Sequence, residues 1–428
     1  MAAGGHFVYQ LAEKLFPICR SITGDGVRQT LDILKEEYGD IQVYEVPSGT
    51  QVFDWTVPRE WNIRDAYIED SQGKRIIDFK ENNLYVMGYS LPMDRVMSLE
   101  ELKKIIFTQP DQPDVIPYVT SYYQQRSGFC MSENLKNSLQ EDTYHCVIDS
   151  ELKEGSLTYG EIILKGDTEE EILLSTYICH PSMANNEVSG PVVTIELVKW
   201  LAALKQRRYT YRILFIPETI GSITYLSRNL EIMKKNTIAG FVLSCLGDDR
   251  TYSIVETKYG DTLTDRLLKN ILQYHFPDYI CYDFLHRGSD ERQYNAPGVD
   301  LPVCGVCRSK YEEYPEYHTS ADDLSLISEE GLQGSVTLMK KCIMALEYNY
   351  FYKLSCCCEP QLGKRGLYPT LSQKGKYSDA ALIMRDLVAY ADGRIDLIEI
   401  SNRIHTPIDR LIPLIDKLLE NGLFNIVK

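Results

Sequence analysis

Long apolar runs are absent from this sequence. No part of its 428 residues approaches the about 20 consecutive apolar residues that a membrane-spanning helix requires, and the N-terminus has no basic stretch followed by an apolar one. We therefore expect a protein with no membrane partner and no signal peptide, and we predict a cytoplasmic location.

The chain also has fewer basic than acidic residues. The chain has 45 lysine and arginine residues against 61 aspartate and glutamate residues, which gives a net charge of −16. Non-specific affinity for nucleic acids rests on clustered lysine and arginine. We expect no nucleic-acid partner, whereas an acidic surface would attract cationic substrates.

Several catalytic patterns are missing. There is no Gly-x-Ser-x-Gly motif, which argues against a serine hydrolase, and no glycine-rich loop for a nucleotide. The 12 cysteines lack the spacing of a disulfide framework: Cys304 and Cys307 lie in an apolar run without a second pair, and Cys356, Cys357 and Cys358 are adjacent. We interpret the cysteines as structural rather than as metal ligands.

From residue 171 onward, apolar strands alternate with amphipathic helices. This alternation is typical of a mostly parallel sheet with helices on both faces, so we predict an α/β fold. The predicted strands are 172–179, 211–216, 238–245 and 301–306, and the predicted helices are 188–203, 220–233, 263–274 and 329–348.

The segments around this core have other patterns. Residues 6–36 predict a helix with a polar break at 20–26, and residues 143–150 and 157–165 predict an antiparallel hairpin at the sheet edge. Residues 47–135, rich in turn residues and containing Trp55 and Trp61, predict a small inserted β domain. We therefore assign 1–46 and 136–360 to the main domain.

Residues 375–428 predict a winged helix, with helices at 380–391, 397–404 and 408–421 before a short ribbon. From residue 376 onward there are 7 basic and 8 acidic residues. The helix that would enter a DNA groove carries Asp409, Asp416 and Glu420, which phosphates would repel. This balance favours protein contact, including homo-oligomer formation, over DNA binding.

Imidazoles and carboxylates follow the predicted strands. His180 comes after the first and Glu218 after the second, and later loops carry Asp290, Glu291, Tyr317 and His318. Each has an ordinary explanation as a loop residue or a helix cap. Ligands bind outside the carboxyl ends of strands in open α/β sheets, so the coincidence of four such loops predicts a hydrolytic metal site.

The motifs that carry a family resemblance are His180 followed by Asn-Asn-Glu-Val-Ser-Gly at 185–190, Pro-Glu-Thr-Ile-Gly at 217–221, Ser-Asp at 289–290 and His-Thr at 318–319. In these motifs the sequence resembles zinc aminopeptidases with co-catalytic metals. It resembles more closely the aminopeptidase-like proteins found with surface-polysaccharide or natural-product genes. In those proteins an inserted protease-associated-like domain and a C-terminal winged helix accompany the aminopeptidase-like domain.

The resemblance implies roles for individual residues. His180 and His318 match metal-ligand histidines, and Glu218 matches the general base that takes a proton from zinc-bound water. Asp290 and Glu291 are candidates for pairing with a substrate α-amino group, and Tyr317 is a candidate substrate contact. The implied substrate is a peptide or an aminoacylated small molecule.

The sequence also departs from the two-zinc pattern. Asn186 stands where an aspartate bridges the metals, Thr219 replaces the second glutamate, and Leu246-Gly247 replaces a further aspartate. We therefore predict one zinc ion rather than two, with His180, His318, Glu187 and Asn186 as the metal-site residues and a water as a further ligand.

Two functions remain open at this point. The first is a zinc aminopeptidase or an amidase in surface-polysaccharide or natural-product biosynthesis. The second is a degenerate, non-catalytic aminopeptidase-like binding or scaffold protein. A winged-helix regulator with a hydrolase-like sensing domain is a third, weaker interpretation because of the acidic charge.

Overall fold

The computed structural model describes residues 2–367 and 379–427, without the side chains of residues 2–7. The predicted start of the winged helix at residue 375 lies outside the described residues. Contacts divide the chain into two compact units, the first made of Met1–Gly260 and Ile280–Val336 and the second of Asp261–Tyr279 and Thr337–Lys428.

The elements are as follows. The strands are β1 (Gln42–Pro47), β2 (Gln51–Val52), β3 (Trp55–Thr56), β4 (Glu60–Glu69), β5 (Arg75–Asp78), β6 (Met93–Ser98), β7 (Ile106–Phe107), β8 (Phe129–Cys130), β9 (Thr143–Lys153), β10 (Ser156–Leu164), β11 (Glu171–Tyr177), β12 (Thr210–Ile216), β13 (Thr237–Leu243), β14 (Ser253–Val255), β15 (Ile280–Tyr282), β16 (Val303–Cys307), β17 (Phe351–Leu354), β18 (Asp392–Asp396) and β19 (Phe424–Ile426). The helices are α1 (Ala2–Leu15), α2 (Asp25–Glu37), α3 (Leu99–Lys103), α4 (Glu133–Ser138), α5 (Ser189–Ala203), α6 (Ile220–Asn236), α7 (Leu263–His275), α8 (Glu291–Tyr294), α9 (Glu329–Glu347), α10 (Asp379–Tyr390), α11 (Leu397–Arg403) and α12 (Ile408–Glu420).

The core of the first unit is an eight-stranded sheet in the order β1-β10-β12-β11-β13-β16-β14-β15. Its central strands β12, β11, β13 and β16 are parallel. Every residue of β11 and β12 is buried, as expected for apolar strands covered on both faces. The predicted α/β sheet is confirmed, and β14 and β15 are additional strands that the pattern did not predict.

The chain reverses its direction of travel across the sheet after β12. From β11 it crosses to β12 on one side, and then returns to β13 on the other side. Such a switch point leaves a crevice at the carboxyl ends of the strands. The crevice lies between β11 and β13. His180 follows β11, and Glu218 follows β12, the neighbour of β11 on its other side.

The predicted hairpin of residues 143–165 is wrong. Its first strand, β9, pairs with β4 and β6 in a four-stranded sheet, whereas its second strand, β10, pairs with β1 and β12 in the main sheet. The turn between them therefore joins two sheets. The four-stranded sheet extends past residue 135, and the protease-associated-like identity of residues 47–135 stays a prediction.

Arg28 on α2 joins the two sheets. Its guanidinium donates to both carboxylate oxygens of Glu60 on β4, at 3.0 and 2.6 Å, and to Ser156 Oγ on β10 at 3.1 Å. A Cβ atom at Gly155 would overlap the Glu60 side chain, so only glycine permits this approach. Arg28 lowers the pKa of Glu60 to about 2.

The second unit contains the winged helix. Its sheet has the order β18-β17-β19, and helices α10, α11 and α12 lie at the positions that the sequence predicts. The sequence interpretation missed β17 and also β18, which lies between α10 and α11. Arg266 on α7 binds Asp396, the N-cap of α11, at 2.6 and 3.2 Å, so α7 belongs to this unit.

Among the described helices, none has both the length and the apolar character needed to cross a bilayer. The location of the protein stays a prediction.

We expect Glu60→Gln to lower the free energy of unfolding by about 2 kcal/mol at pH 7, because it weakens a largely buried ion pair. The folded-state pKa of Glu60 is lowered, so its contribution is present above about pH 4.3 and is lost as the pH falls toward about 2. Denaturant titrations should therefore show the difference from the unchanged protein shrinking between about pH 5 and about pH 3.

Glu154→Gln is the matched control, since Glu154 pairs with Arg59 at the surface with 72% and 51% of the two side chains exposed. It should change the free energy by less than about 0.5 kcal/mol. Equal effects of the two substitutions would contradict the role of Glu60.

Candidate active site

His180 follows β11 and lies in a buried network with Glu187 and Arg20. Its Nδ1 atom is 2.9 Å from Glu187 Oε2, and Arg20 Nε donates to the His180 carbonyl oxygen at 2.9 Å. The same Nε atom is 3.3 Å from Glu187 Oε1, and both of these side chains are 1% exposed. Because Glu187 occupies Nδ1, Nε2 is the nitrogen presented to the crevice.

Glu218 follows β12 and faces this histidine. Its Oε2 atom is 3.6 Å from His180 Nε2, and its N–H donates to Cys179 Sγ at 3.2 Å. Burial raises the pKa of Glu218, and the nearby His180 offsets part of that rise. A carboxyl group with a raised pKa is suited to accepting and returning a proton near neutral pH.

Thr219 holds the main chain beside Glu218 in a strained conformation. Its φ angle is +63°, which is rare for a β-branched residue. Its N–H donates to Asp290 Oδ1 at 2.8 Å, and its Oγ1 accepts from Arg292 at 2.6 Å. Asp290 also accepts from Ser222 Oγ at 2.7 Å. These bonds fix the backbone that carries the Glu218 side chain.

His318 lies across the crevice from His180, with 5.3 Å between the ring centroids. Tyr317 stacks on it at 3.8 Å, and Tyr118 meets it edge-on at 5.0 Å. Burial, followed by the charge of His180, lowers the pKa of His318 well below its usual range. No described residue lies within hydrogen-bonding distance of its buried Nε2 atom, so a neutral nitrogen is available as a ligand.

Asn186 lies on a π-helical turn, Ala184–Val188, which precedes α5. Asp322 holds this turn by accepting from the N–H groups of Asn185 at 2.6 Å and Asn186 at 3.0 Å. The Asn186 Nδ2 atom donates to Tyr177 OH at 2.8 Å, and its buried Oδ1 has no hydrogen-bond partner within the described part of the chain. Turns of this kind are frequent at functional sites.

Two carboxylates of the sequence analysis are fully buried behind the crevice. Asp290 supports Thr219, and burial, with the charge of Glu218, raises the pKa of Asp290 to about 7. Glu291 accepts from the N–H groups of Gly288 and Ser289 at 2.8 and 3.1 Å. Their proposed contact with a substrate α-amino group stays a prediction.

Asp248 does not supply the carboxylate that is missing after β13. Its Oδ2 atom accepts from Asn185 Nδ2 at 3.0 Å and from Ser309 N at 2.9 Å, and its Oδ1 accepts from Ser309 Oγ and Arg250 N at 2.9 Å. These bonds engage both oxygens in holding two loops together.

Cys179 lies closer to the site than strand geometry predicts. Neighbours on a strand point to opposite faces, but β11 ends at Tyr177, and Cys179 Sγ is 3.6 Å from His180 Nδ1. Cys179, His180 and Glu187 form the group of potential metal-ligand atoms that lies within 4.8 Å. Burial raises the pKa of the Cys179 thiol to about 11, so it is a poor nucleophile at neutral pH.

Sequence reasoning missed Arg20 and Tyr118. Arg20 belongs to the N-terminal segment, and an arginine is rarely buried unless it is paired, so its role appears only when Glu187 lies beside it. Tyr118 comes from the inserted segment and contacts both histidines, at 5.4 Å from His180 and 5.0 Å from His318. Neither residue belongs to a motif with known chemistry.

The donor types at the crevice fit zinc. Candidate ligands are the imidazole nitrogens of His180 and His318 and the Asn186 amide oxygen, and both His318 Nε2 and Asn186 Oδ1 lack partners among the described residues. One ion rather than two stays a prediction, which rests on the neutral side chains of Asn186 and Thr219. The direct role of Glu187 as a ligand stays a prediction, since its oxygens face His180 and Arg20.

The sheet, the switch-point crevice and the surrounding helices define an aminopeptidase-like fold. A zinc aminopeptidase from Bacillus subtilis has a TM-score of 0.58 to this chain at 12% identity, with 80% of this chain and 94% of that chain covered. At this level of identity the likeness concerns the fold alone.

The chain belongs to the family described as "Domain of unknown function (DUF4910)", whose model matches residues 9–349, and a winged helix-turn-helix model matches residues 350–426. A Clostridium acetobutylicum protein, provisionally named for polysaccharide biosynthesis and an aminopeptidase-like domain, is 45% identical over 99% of this chain and 97% of its own length. A crystal structure of a candidate peptidase from the same organism has a TM-score of 0.93 at 44% identity, covering 99% of this chain and 96% of that chain.

We expect Arg20→Met to lower the free energy of unfolding by about 3–5 kcal/mol, because it leaves the buried Glu187 charge without its partner. Adding Glu187→Gln to Arg20→Met should restore part of that loss. A double-mutant cycle measured by denaturant unfolding should give a coupling energy of about 2 kcal/mol between the two side chains.

The surface pair Arg64 and Asp149, with 63% and 46% of their side chains exposed, provides the control cycle. Its coupling should stay below about 1 kcal/mol. Strictly additive effects of Arg20→Met and Glu187→Gln would show that the two side chains are not energetically linked.

Proposed function

We propose that this protein is a metal-dependent amide hydrolase in which Glu218 is the general base. The observation that carries the proposal is the 3.6 Å approach of the Glu218 carboxylate to His180 Nε2, at the carboxyl ends of the neighbouring parallel strands β12 and β11 of an aminopeptidase-like sheet. The unpartnered Nε2 atom of His318 on the other side of the same crevice supports it. A hydrolase of amide bonds needs such a base beside a cation-binding position.

His180 and His318 would hold a single zinc ion, with Asn186 and one carboxylate completing the set. Zinc supplies Lewis-acid chemistry, because it polarises a carbonyl group and lowers the pKa of water. Glu187 and Arg20 keep His180 in one orientation, since the carboxylate holds Nδ1 and the arginine holds the carbonyl oxygen. Such carboxylate support of a histidine also raises its basicity as a ligand.

The Glu218 carboxylate would accept a proton from the attacking water and return it to the leaving nitrogen. Burial raises the pKa of Glu218 toward neutrality, where a carboxyl group can both accept and release a proton. Thr219 and Asp290 act as positioning residues, because their hydrogen bond fixes the backbone beside Glu218.

The proposed substrate is an acylated or aminoacylated small molecule rather than a long peptide. The name of the Clostridium acetobutylicum relative, which refers to polysaccharide biosynthesis, supports a role in the tailoring of a surface polysaccharide or a similar product. A peptide substrate is the alternative within the same chemistry.

A non-catalytic binding protein is the competing function. The neutral side chains of Asn186 and Thr219, in place of carboxylates, favour it over a two-metal enzyme. It would keep the fold and the histidines without turning over an amide.

We expect one zinc ion per chain by elemental analysis after dialysis against low-micromolar zinc. Glu218→Gln should retain that ion and lower the turnover of aminoacyl amides by about 10²–10⁴, because it removes the base without removing either histidine. Glu231→Gln, on the exposed side of α6, is the matched control. It should change neither the zinc content nor the turnover.

Zinc binding without amide turnover in any variant would favour the non-catalytic protein. Absence of zinc, together with turnover that does not depend on Glu218, would contradict the whole mechanism.

We also propose that the winged helix contacts protein rather than DNA. Asp409 on α12 binds Lys341 at 2.7 Å and lies 3.2 Å from His275, so this helix is engaged within its own unit. Its remaining acidic residues, Asp416 and Glu420, would face phosphates with net repulsion.

We expect no shift of random-sequence duplex DNA in a gel assay at about 50 mM salt, where electrostatic attraction is strong. A basic winged-helix protein of known DNA affinity serves as the positive control. A shift by this protein that weakens steeply with added salt would overturn the proposal.

A further inference from the structure

A cavity of about 340 Å³ opens beside Glu218 and is lined mainly by aromatic and aliphatic side chains. Trp55, Tyr122 and Tyr123 form one wall, and Ile22 and Ile220 form another. The volume is at the small end of the range for small-molecule sites, about 300–1,000 Å³. It therefore fits one compact group rather than a polymer.

Two rings of this wall are open to solvent. Trp55 is 39% exposed and Tyr123 is 56% exposed, although large aromatic residues gain most from burial. Their centroids are 5.9 Å apart at an angle of 65°, so the two rings meet edge-on. Exposed aromatic side chains gathered in a concave site mark a position where a ligand would cover them.

The cavity adjoins the active-site crevice, because Glu218 lines it and lies 3.6 Å from His180 Nε2. Tyr122 OH lies 2.6 Å from Tyr118 OH, and the Tyr118 ring meets both His180 and His318 edge-on. Tyr118 N donates to the carbonyl oxygen of His318 at 2.8 Å. A group in the cavity would therefore be attached to a substrate whose amide lies beside these histidines.

The wall is already rigid in this structure. Tyr122 packs edge-on against Tyr89 at 5.4 Å, and Tyr89 stacks on the buried Trp61 at 5.7 Å, with an angle of 18° between the planes. Trp61 Nε1 in turn donates to the carbonyl oxygen of Ser90 at 2.8 Å. A wall that is ordered before binding costs little entropy when a ligand arrives.

The charges of the lining balance each other. Among the described lining residues, Glu218 carries the one carboxylate and Arg292 the one guanidinium, and Arg292 donates to Thr219 Oγ1. Asp290 and Glu291 are fully buried behind this surface. A cationic amino group would find no further exposed carboxylate among these lining residues, so an uncharged group is the better occupant.

We propose that this cavity binds an uncharged aromatic ring carried by the substrate next to the scissile amide, and that Trp55 and Tyr123 select it. The inference rests on the proposed amide hydrolase function. It assigns specificity to the inserted segment, whose residues lie outside the motifs of the catalytic loops.

The test is binding of three small amides to the full chain, measured by ligand-observed NMR. N-acetyl-phenylalaninamide should bind about tenfold more tightly than N-acetyl-alaninamide, a difference of about 1.4 kcal/mol that ring contacts can supply. Phenylalaninamide, with its charged amine, should bind no more tightly than the acetylated ring compound.

Substitutions in the cavity wall test which side chains select the ring. Tyr123→Ala and Trp55→Ala should each reduce the preference for the ring to within about twofold, while Trp55→Phe should keep most of it. Tyr259→Ala, an exposed tyrosine that is 78% accessible and does not line the cavity, should leave the preference unchanged. Trp55→Phe and Tyr123→Ala keep the test valid if Trp55→Ala fails to fold.

The same spectra report hydrolysis of the probes and so separate the two proposals. Selective binding of the ring that depends on Trp55 and Tyr123 supports the cavity assignment, whether or not the amide is cleaved. Equal binding of the ring and alanine probes, or tighter binding of the charged amine, overturns it. Turnover without ring preference would overturn the cavity assignment and leave the hydrolase function standing.

Discussion

The buried carboxylate of Glu187 is the constraint on which the site depends. It lies between the Arg20 guanidinium and the His180 imidazole. Without it, the charge of Arg20 would have no counterion and the His180 ring would be free to rotate. Glu187 Oε2 lies 2.9 Å from His180 Nδ1, which fixes the orientation of the ring. Arg20 also binds the Leu15 carbonyl oxygen at 2.8 Å, so the end of α1 is tied to the same carboxylate.

Strain in the main chain accompanies this network. Thr219, Cys245 and His318 all have positive φ angles, at +63°, +52° and +55°, and each follows a strand or borders the crevice. Such conformations cost about 1–3 kcal/mol each and persist only where neighbouring groups hold them. Asp290 provides that support for Thr219 through a hydrogen bond at 2.8 Å. The geometry of Glu218 is thus set by the surrounding structure rather than by local preference.

The inserted segment is part of the site as well as of the second sheet. Tyr118 N bonds to the His318 carbonyl oxygen, and Ile116 N donates to Ser320 Oγ at 2.9 Å, so residues 116–120 run along the loop that carries His318. The segment supplies aromatic surface, whereas the main sheet supplies imidazoles and carboxylates. The two kinds of side chain thus come from different parts of one unit.

The sequence alone determined the four central strands of the sheet, the helices that follow them and the loop positions of His180, Glu218 and His318. Apolar runs of strand length alternating with amphipathic helices are local signals, and the strand-end rule then places polar loops at one edge. The same local signals found the helices of the winged helix. The neutral side chains of Asn186 and Thr219 became informative only through the resemblance to two-zinc aminopeptidases.

Only the tertiary structure decided how distant segments combine. Strands β9 and β10 are adjacent in sequence and look like a hairpin, yet they pair in different sheets, because pairing depends on partners far along the chain. Arg20 precedes β1 and Glu187 follows β11, so the two are far apart in sequence, and burial of a charge is visible only when its partner is in place. The aromatic cavity likewise requires Trp55, Tyr123 and Glu218 to meet, and no local pattern encodes that meeting.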